Sequence, residues 1–200
     1  VILYVETNFL MGIAKGQDPQ AENLLRNTPS SVRLVIPSIC FVEALTTLDQ
    51  EEKYNQDFIR RLDIQINEAG RVQSDQNAKL IVNILKQSKV SLLDRINDIK
   101  QQFATAFNQL TSKAEMITLN PDILQESLAR NILTKHTIDK LILECIIYHA
   151  RSYPHEVKVF LSSNSKEFGQ PEVTEILTNV NVEYFSKTKN FIGWLQSQSR

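Results

Sequence analysis

Apolar and polar positions along this chain follow two rhythms. Short runs dense in β-branched and aromatic residues read as buried strands: VILYV at 1–5, RLVIP at 33–37, VKVFLS at 157–162 and VNVEYF at 180–185, with AEMITL at 114–119 as a fifth. Between them apolar residues return every three or four positions, which predicts helices over 7–14, 18–27, 38–48, 121–132, 137–151, 171–178 and 188–196. Pro121 after Asn120 suits a first helical turn, and Thr137 is placed to cap the helix that follows. Strands alternating with helices predict an α/β fold, a three-layer α/β/α sandwich around a parallel sheet covered on both faces.

The middle of the chain keeps only the helical rhythm. Ile59, Leu62, Ile66 and Ala69 step by threes and fours, as do Ala78, Val82, Leu85, Leu92, Ile96, Ile99, Phe103, Ala106 and Leu110, with Lys89 as one polar member of the second series. Two long helices forming an antiparallel arm are expected, an insertion at about 49–113 in an otherwise single domain spanning 1–200. Gly70 and the QSDQ segment at 73–76 supply the turn, because Gly tolerates left-handed backbone and Ser74 or Asp75 can cap the second helix.

Charge narrows the function classes. Lys and Arg number 22 against 23 Asp and Glu, a net charge of −1, so any nucleic acid has to be gripped by a local basic patch. The arm is balanced too, with ten basic and ten acidic residues over 49–115. Cys40 and Cys145 sit in apolar runs and read as buried thiols of a reducing, cytoplasmic protein, a disulfide being the alternative. No stretch approaches the roughly 18 apolar residues of a membrane span. The first residues are a strand signal rather than a leader, and the absence of a starting Met leads us to expect at least one residue before Val1. His136, His149 and His155 lack metal-ligand spacing and read as surface or cap residues, so no zinc site is expected.

The candidate chemistry lies in carboxylates. Glu6 follows the first strand, and ligands of open α/β sheets bind beyond the carboxyl ends of the strands. Glu43 stands about one turn into the helix after the second strand, flanked by Phe41, Val42, Ala44 and Leu45, where an unpaired carboxylate is costly. Asp139 opens the apolar helix TIDKLILECII, and FLSSNSKEF brings Ser163, Asn164, Ser165 and Glu167 to the same edge. Acids meeting there repel one another unless a cation lies among them, and oxygen donors suit Mg²⁺ or Mn²⁺. Each residue also has a structural reading. Glu6 can end a turn while Thr7 or Asn8 caps the next helix, Asp139 is favoured by the helix dipole alone, and Ser163, Asn164 and Ser165 are good turn formers.

In order and spacing, VETNFL, PSICFVEAL, TIDKLILECII and SSNSKEF resemble the motifs of the PIN domain, over residues 1–48 and about 115–190. The resemblance implies a metal-dependent ribonuclease that leaves a 5′-phosphate. It also implies Glu6, Glu43 and Asp139 as ligands of Mg²⁺ or Mn²⁺, with Glu167 as a fourth catalytic carboxylate. Thr7, Asn8, Ser163, Asn164 and Ser165 are then placed to orient water or substrate, and Lys140 and Lys166 to meet phosphates. The sequence departs from the family pattern at Glu6 and Ser165, where Asp is usual and common respectively, which leaves open one metal or two. Single-stranded or structured RNA is the expected substrate. An antitoxin or other protein partner, a place in a toxin–antitoxin pair, and a homo-oligomer all stay open. The alternative is a catalytically weakened module that binds RNA or a protein partner through its helical arm. A phosphatase has less support, because no Asp-x-Asp follows the first strand.

Overall fold

The computed structural model describes residues 1–72 and 74–198. It contains strands β1 (Ile2–Val5), β2 (Arg33–Pro37), β3 (Glu115–Ile117), β4 (Lys158–Leu161) and β5 (Val182–Phe185). The helices are α1 (Thr7–Ala14), α2 (Pro19–Arg26), α3 (Ile39–Gly70), α4 (Gln76–Lys113), α5 (Pro121–Ala129), α6 (Thr137–Arg151), α7 (Pro171–Asn179) and α8 (Thr188–Gln198). The strands pair in parallel in the order β3-β2-β1-β4-β5. This is an α/β sandwich of the kind the strand–helix alternation predicts. Every residue of β1 and β4 is buried, so both faces of the central sheet are covered, and this is why those segments read as unbroken apolar runs.

Strand order decides where chemistry can sit. The chain leaves β1 toward β2 and β3, then crosses to the other side of β1 to lay down β4 and β5. The switch point therefore falls between β1 and β4, and a crevice opens there beyond the carboxyl ends of the strands. Val5 pairs with Leu161, so the next residues, Glu6 and Ser162, leave the sheet side by side.

The amino ends of the strands carry a polar network whose members are all paired. Arg33 donates to Glu115 Oε2 at 2.6 Å and to the Tyr153 hydroxyl at 2.9 Å, while His149 links Glu115 to the Tyr4 hydroxyl at 3.1 and 2.9 Å. Lys158, buried at the start of β4, donates to the Tyr153 carbonyl at 2.6 Å. Buried Glu144 on α6 is paired with Arg130, at the end of α5. These charges have structural partners and hold the sheet edge and the α5–α6 contact together.

The chain divides into two compact units, Val1–Ala44 with Phe103–Arg200, and Leu45–Gln102. In the second, Asp63 accepts from Lys89 at 2.6 and 2.7 Å, and Glu52 from Lys100 at 2.7 Å. One helix runs back from 63 to 52 as the other advances from 89 to 100, so the two segments are antiparallel. Every residue of the predicted apolar seam within this unit, Lys89 included, is buried or half-buried, while Tyr54, Phe58, Ile81 and Ile84 are exposed off the seam. Lys89 tolerates its seam position because Asp63 neutralises it.

Several boundaries differ from the sequence reading. The helix expected over 38–48 does not stop there but continues as α3 to Gly70, because no Gly or Pro interrupts 39–69 and Lys53 pairs with Asp49 one turn earlier. Gly70 ends α3 without a left-handed backbone; the residue in that conformation among the glycines is Gly16. Asp75, not Ser74, caps α4 by accepting from the Asn77 amide at 2.8 Å, and Gln73 of the expected turn lies outside the described residues. The helix expected over 121–132 ends at Ala129, and Leu133 takes a positive φ of 49° in the bend before α6. Thr137 is the first residue of α6, and His136 occupies the cap position without a side-chain bond.

Candidate active site

Glu6 is the cap of α1. Its backbone is extended, with φ −134°, and its Oε2 accepts from the Asn8 amide at 2.7 Å. Capping uses one oxygen only. The other, Oε1, accepts from Ser162 Oγ at 2.8 Å, and Ser162 in turn accepts from the Asn164 amide at 3.1 Å. The carboxyl is thus fixed from both flanks of the switch point, with the residue only 2 % exposed.

Glu43 arrives from the start of α3. Its Oε2 accepts a hydrogen bond from Thr7 Oγ1, which also lies 3.4 Å from the Cys40 carbonyl. Thr7 and Glu43 therefore join the helices that follow β1 and β2. Asp139 comes from the first turn of α6, where its Oδ1 accepts from Asn164 Nδ2 at 3.4 Å. His136 stands between two acids, with Nδ1 3.9 Å from Asp139 Oδ2 and Nε2 3.4 Å from Glu167 Oε1.

The electrostatics tie these groups together. Burial, reinforced by the charges of Glu43 and Asp139, lifts the Glu6 pKa to about 7 against the pull of the Asn8 and Ser162 hydrogen bonds. Asp139 is lifted to about 6, by burial first and then by Glu43 and Glu167, with His136 and Asn164 opposing. Both acids stand at helix N-termini, where the dipole favours a carboxylate, yet burial and mutual repulsion prevail. The same charges reach the neighbours. Burial and Glu6 push the Tyr184 phenol to about 12, and its hydroxyl donates to the Ser162 carbonyl at 2.8 Å. Cys40 is a free buried thiol raised well above its ordinary value by burial, Glu6 and Glu43, and Cys145 is likewise free and buried.

The loop after β4 is shaped by its own backbone. Phe168 is fully buried against Phe160, with ring centroids 5.0 Å apart, and its amide returns to the Asn164 carbonyl at 2.9 Å. A Cβ at Gly169 would meet the Ser165 carbonyl at 2.5 Å, so only glycine lets the loop close this tightly. Of the loop residues, Asn164 reaches Asp139 and Glu167 reaches His136, while Ser163 and Ser165 are exposed. Asn8 contributes its main-chain amide and leaves its side chain exposed. Lys140 is half-buried and Lys166 exposed; neither forms an ion pair among the described residues.

Sequence reading missed two participants. Ser162 appears there as the last strand residue, and only the pairing of β1 with β4 reveals it as the partner of Glu6. His136 reads as a surface or cap residue, but its ring, Asp139 and Glu167 bring three potential ligand atoms within 4.8 Å of one another. Glu6 and Glu43 are not in this grouping. The donor set, oxygen-rich with one imidazole, suits a divalent cation, and the mutual repulsion of the acids is what such a cation would relieve.

Among the described residues no helix is long and apolar enough to cross a membrane. No curated protein and no solved structure matches the chain. The PIN domain family model matches residues 3–168, from the second residue of β1 to Phe168 in the loop that carries Glu167. With most of its length covered, strand-end carboxylates and interrupting helices included, the chain belongs to the PIN domain family, whose members are generally nucleases.

Proposed function

We propose that the protein is a metal-dependent ribonuclease, one PIN domain interrupted by a helical insertion at about 49–113. The observation that carries this reading is that Glu6 at the end of β1, Glu43 at the start of α3 and Asp139 at the start of α6 are each fixed by a hydrogen bond from a neighbouring segment, through Ser162, Thr7 and Asn164, and that beyond the effect of burial the charge of Glu43 reaches both other acids. Acids that serve only as caps or ion pairs have no reason to crowd one another; Glu115 and Glu144 show the alternative, each paired with a base.

Glu6, Glu43 and Asp139 would hold Mg²⁺ or Mn²⁺, with Glu167 as a further carboxylate. A divalent ion so bound lowers the pKa of water and neutralises charge on a phosphodiester. The rest of the chemistry belongs to the chain. Ser162 and the Asn8 amide fix the Glu6 carboxyl, Thr7 fixes Glu43, and Asn164 aligns Asp139. Lys140 and Lys166, beside the acids, are available to meet phosphate oxygens. Glu6 in place of the usual Asp would carry its carboxylate one methylene farther from β1, and Ser165 adds no charge, which favours a single metal. The test is incubation of single-stranded and structured RNA with Mn²⁺, Mg²⁺ or EDTA, beside Glu43→Gln. Metal-dependent cutting lost in the variant supports the reading, and cutting that survives EDTA or the substitution overturns it.

A second reading, a non-cutting module that binds a protein partner through Leu45–Gln102, is favoured by the exposed Tyr54, Phe58, Ile81 and Ile84. It expects no cleavage under any metal and loss of partner binding when these residues become polar.

A further inference from the structure

A cleft of about 620 Å³ opens directly beside Glu6. Asn8 and Ser162, which both hydrogen-bond Glu6, line it together with Lys15, Lys187 and Lys189. We propose that this cleft holds the single-stranded RNA flanking the cleaved phosphate, with Lys187 and Lys189 as its phosphate-binding groups. The proposal rests on the ribonuclease reading, because it places a strand next to the carboxylates rather than over them.

Charge is the first argument. The chain as a whole is near neutral, yet three lysines converge here against one acid, Asp18. Asp18 is already engaged: its Oδ1 accepts from the Gln20 and Ala21 amides at 3.1 and 2.9 Å as the cap of α2, and its Oδ2 accepts from Thr188 Oγ1 at 2.6 Å. Lys187 and Lys189 are exposed and have no acidic partner among the described residues. The cleft therefore presents a positive surface next to a rim of mutually repelling acids, an arrangement that favours a polyanion along the cleft and a cation at the rim.

Construction is the second. Buried Thr188, the first residue of α8, binds the cap of α2, so Lys187 and Lys189 on either side of it are tied to the end of the α1–α2 connection. That connection is itself sharp. Gly16 takes φ 63° after Lys15, and the Gln17 amide returns to the Gly12 carbonyl at 2.8 Å. Glu6 and Lys15 cap opposite ends of α1, about 13 Å apart along the helix at 1.5 Å per residue. The cleft wall at that distance lies along a neighbouring phosphate of the strand, not the one being cut. The hydroxyls of Ser163 and Ser186 add neutral donors along the wall, as a sugar–phosphate backbone needs.

The test is fluorescence anisotropy of a labelled single-stranded RNA, with EDTA present to prevent cutting, over a series of salt concentrations. Lys187→Ala/Lys189→Ala should weaken binding about tenfold at low salt. It should also reduce the slope of log affinity against log salt by about 1.4, some 0.7 for each lost contact to a single strand. Lys187→Arg/Lys189→Arg should bind like the parent, and melting temperatures should show that all variants are folded. An affinity and slope unchanged in the alanine variant, loss in the arginine variant as well, or no RNA binding by the parent would each overturn the cleft assignment. Separate cleavage assays of the parent with Mn²⁺ judge the ribonuclease reading: RNA held through the lysines but never cut would sink that reading and leave the binding site standing.

Discussion

Ser162 donates its hydroxyl to Glu6 across the boundary between β4 and β1, at 2.8 Å, and so joins the two strand ends that flank the switch point of the sheet. This bond is made to a buried carboxylate and strengthens as that carboxylate ionises. Ser162→Ala should therefore lower stability more at pH 8 than at pH 5, by about 1.5–3 kcal/mol at the higher pH. Urea melts at the two pH values without metal measure the difference, and an equal loss at both would mean that Ser162 acts only on the Asn164 turn.

Glu6 also gives the metal-free protein a pH dependence of definite sign. Its folded pKa of about 7 lies above its ordinary 4.5, so between those values the folded state holds a proton that the unfolded chain has released. The associated stability is complete below about 4.5 and is lost as pH rises through 7, and Asp139 adds to the trend between 3.8 and about 6. For Glu6 the amount is on the order of 3 kcal/mol. With EDTA, the melting temperature should fall from pH 5 to pH 8, and Mn²⁺ should restore part of it at pH 8.

Two buried glutamates should respond oppositely to neutralisation. Glu6→Gln removes a crowded charge and should leave the metal-free protein at pH 8 as stable as the parent or more so. Glu144→Gln removes the buried partner of Arg130, leaving it only the longer contact with half-exposed Glu126 at 3.7 Å, and should destabilise the protein by roughly 3 kcal/mol. Thermal melts of both variants under the same conditions separate a functional carboxylate from a structural one, and destabilisation by both would assign Glu6 to structure.

Metal binding can distinguish the two groupings that share Asp139. Asp139→Asn should weaken Mn²⁺ binding tenfold or more in calorimetry, because Asp139 couples to Glu6 and Glu43 on one side and to His136 and Glu167 on the other. Glu43→Gln should cost more affinity than His136→Gln. The reverse order would move the ion outward, to the His136–Asp139–Glu167 group.

At the strand end itself, geometry and charge can be varied separately. Glu6→Asp keeps the charge one methylene closer to the backbone and should preserve or raise metal-dependent RNA cleavage, whereas Glu6→Gln should lower kcat/KM tenfold or more. Equal rates in all three proteins would reduce Glu6 to a cap.

Much of this architecture was legible in local pattern. Strand runs, helical periodicity and the seam of the arm depend on which faces a segment must bury, and that is written into the spacing of Leu, Ile and Val. Glu6, Glu43 and Asp139 stood out for a related reason, since each carboxylate interrupts or borders an apolar run. Other features required the sheet to close. The order β3-β2-β1-β4-β5 is set by long-range pairing, and it alone makes Glu6 and Ser162 neighbours. His136 gained its acidic company only when the bend at Leu133 and the glycine-dependent loop before Gly169 brought α6 and the β4–α7 segment together. The lysine-lined cleft is likewise assembled from α1, its connection to α2 and the start of α8 with the residues just before it. Burial along one segment leaves a periodic trace in sequence; proximity between segments far apart in the chain leaves none, because it is fixed by how the elements pack and not by the residues within any one of them.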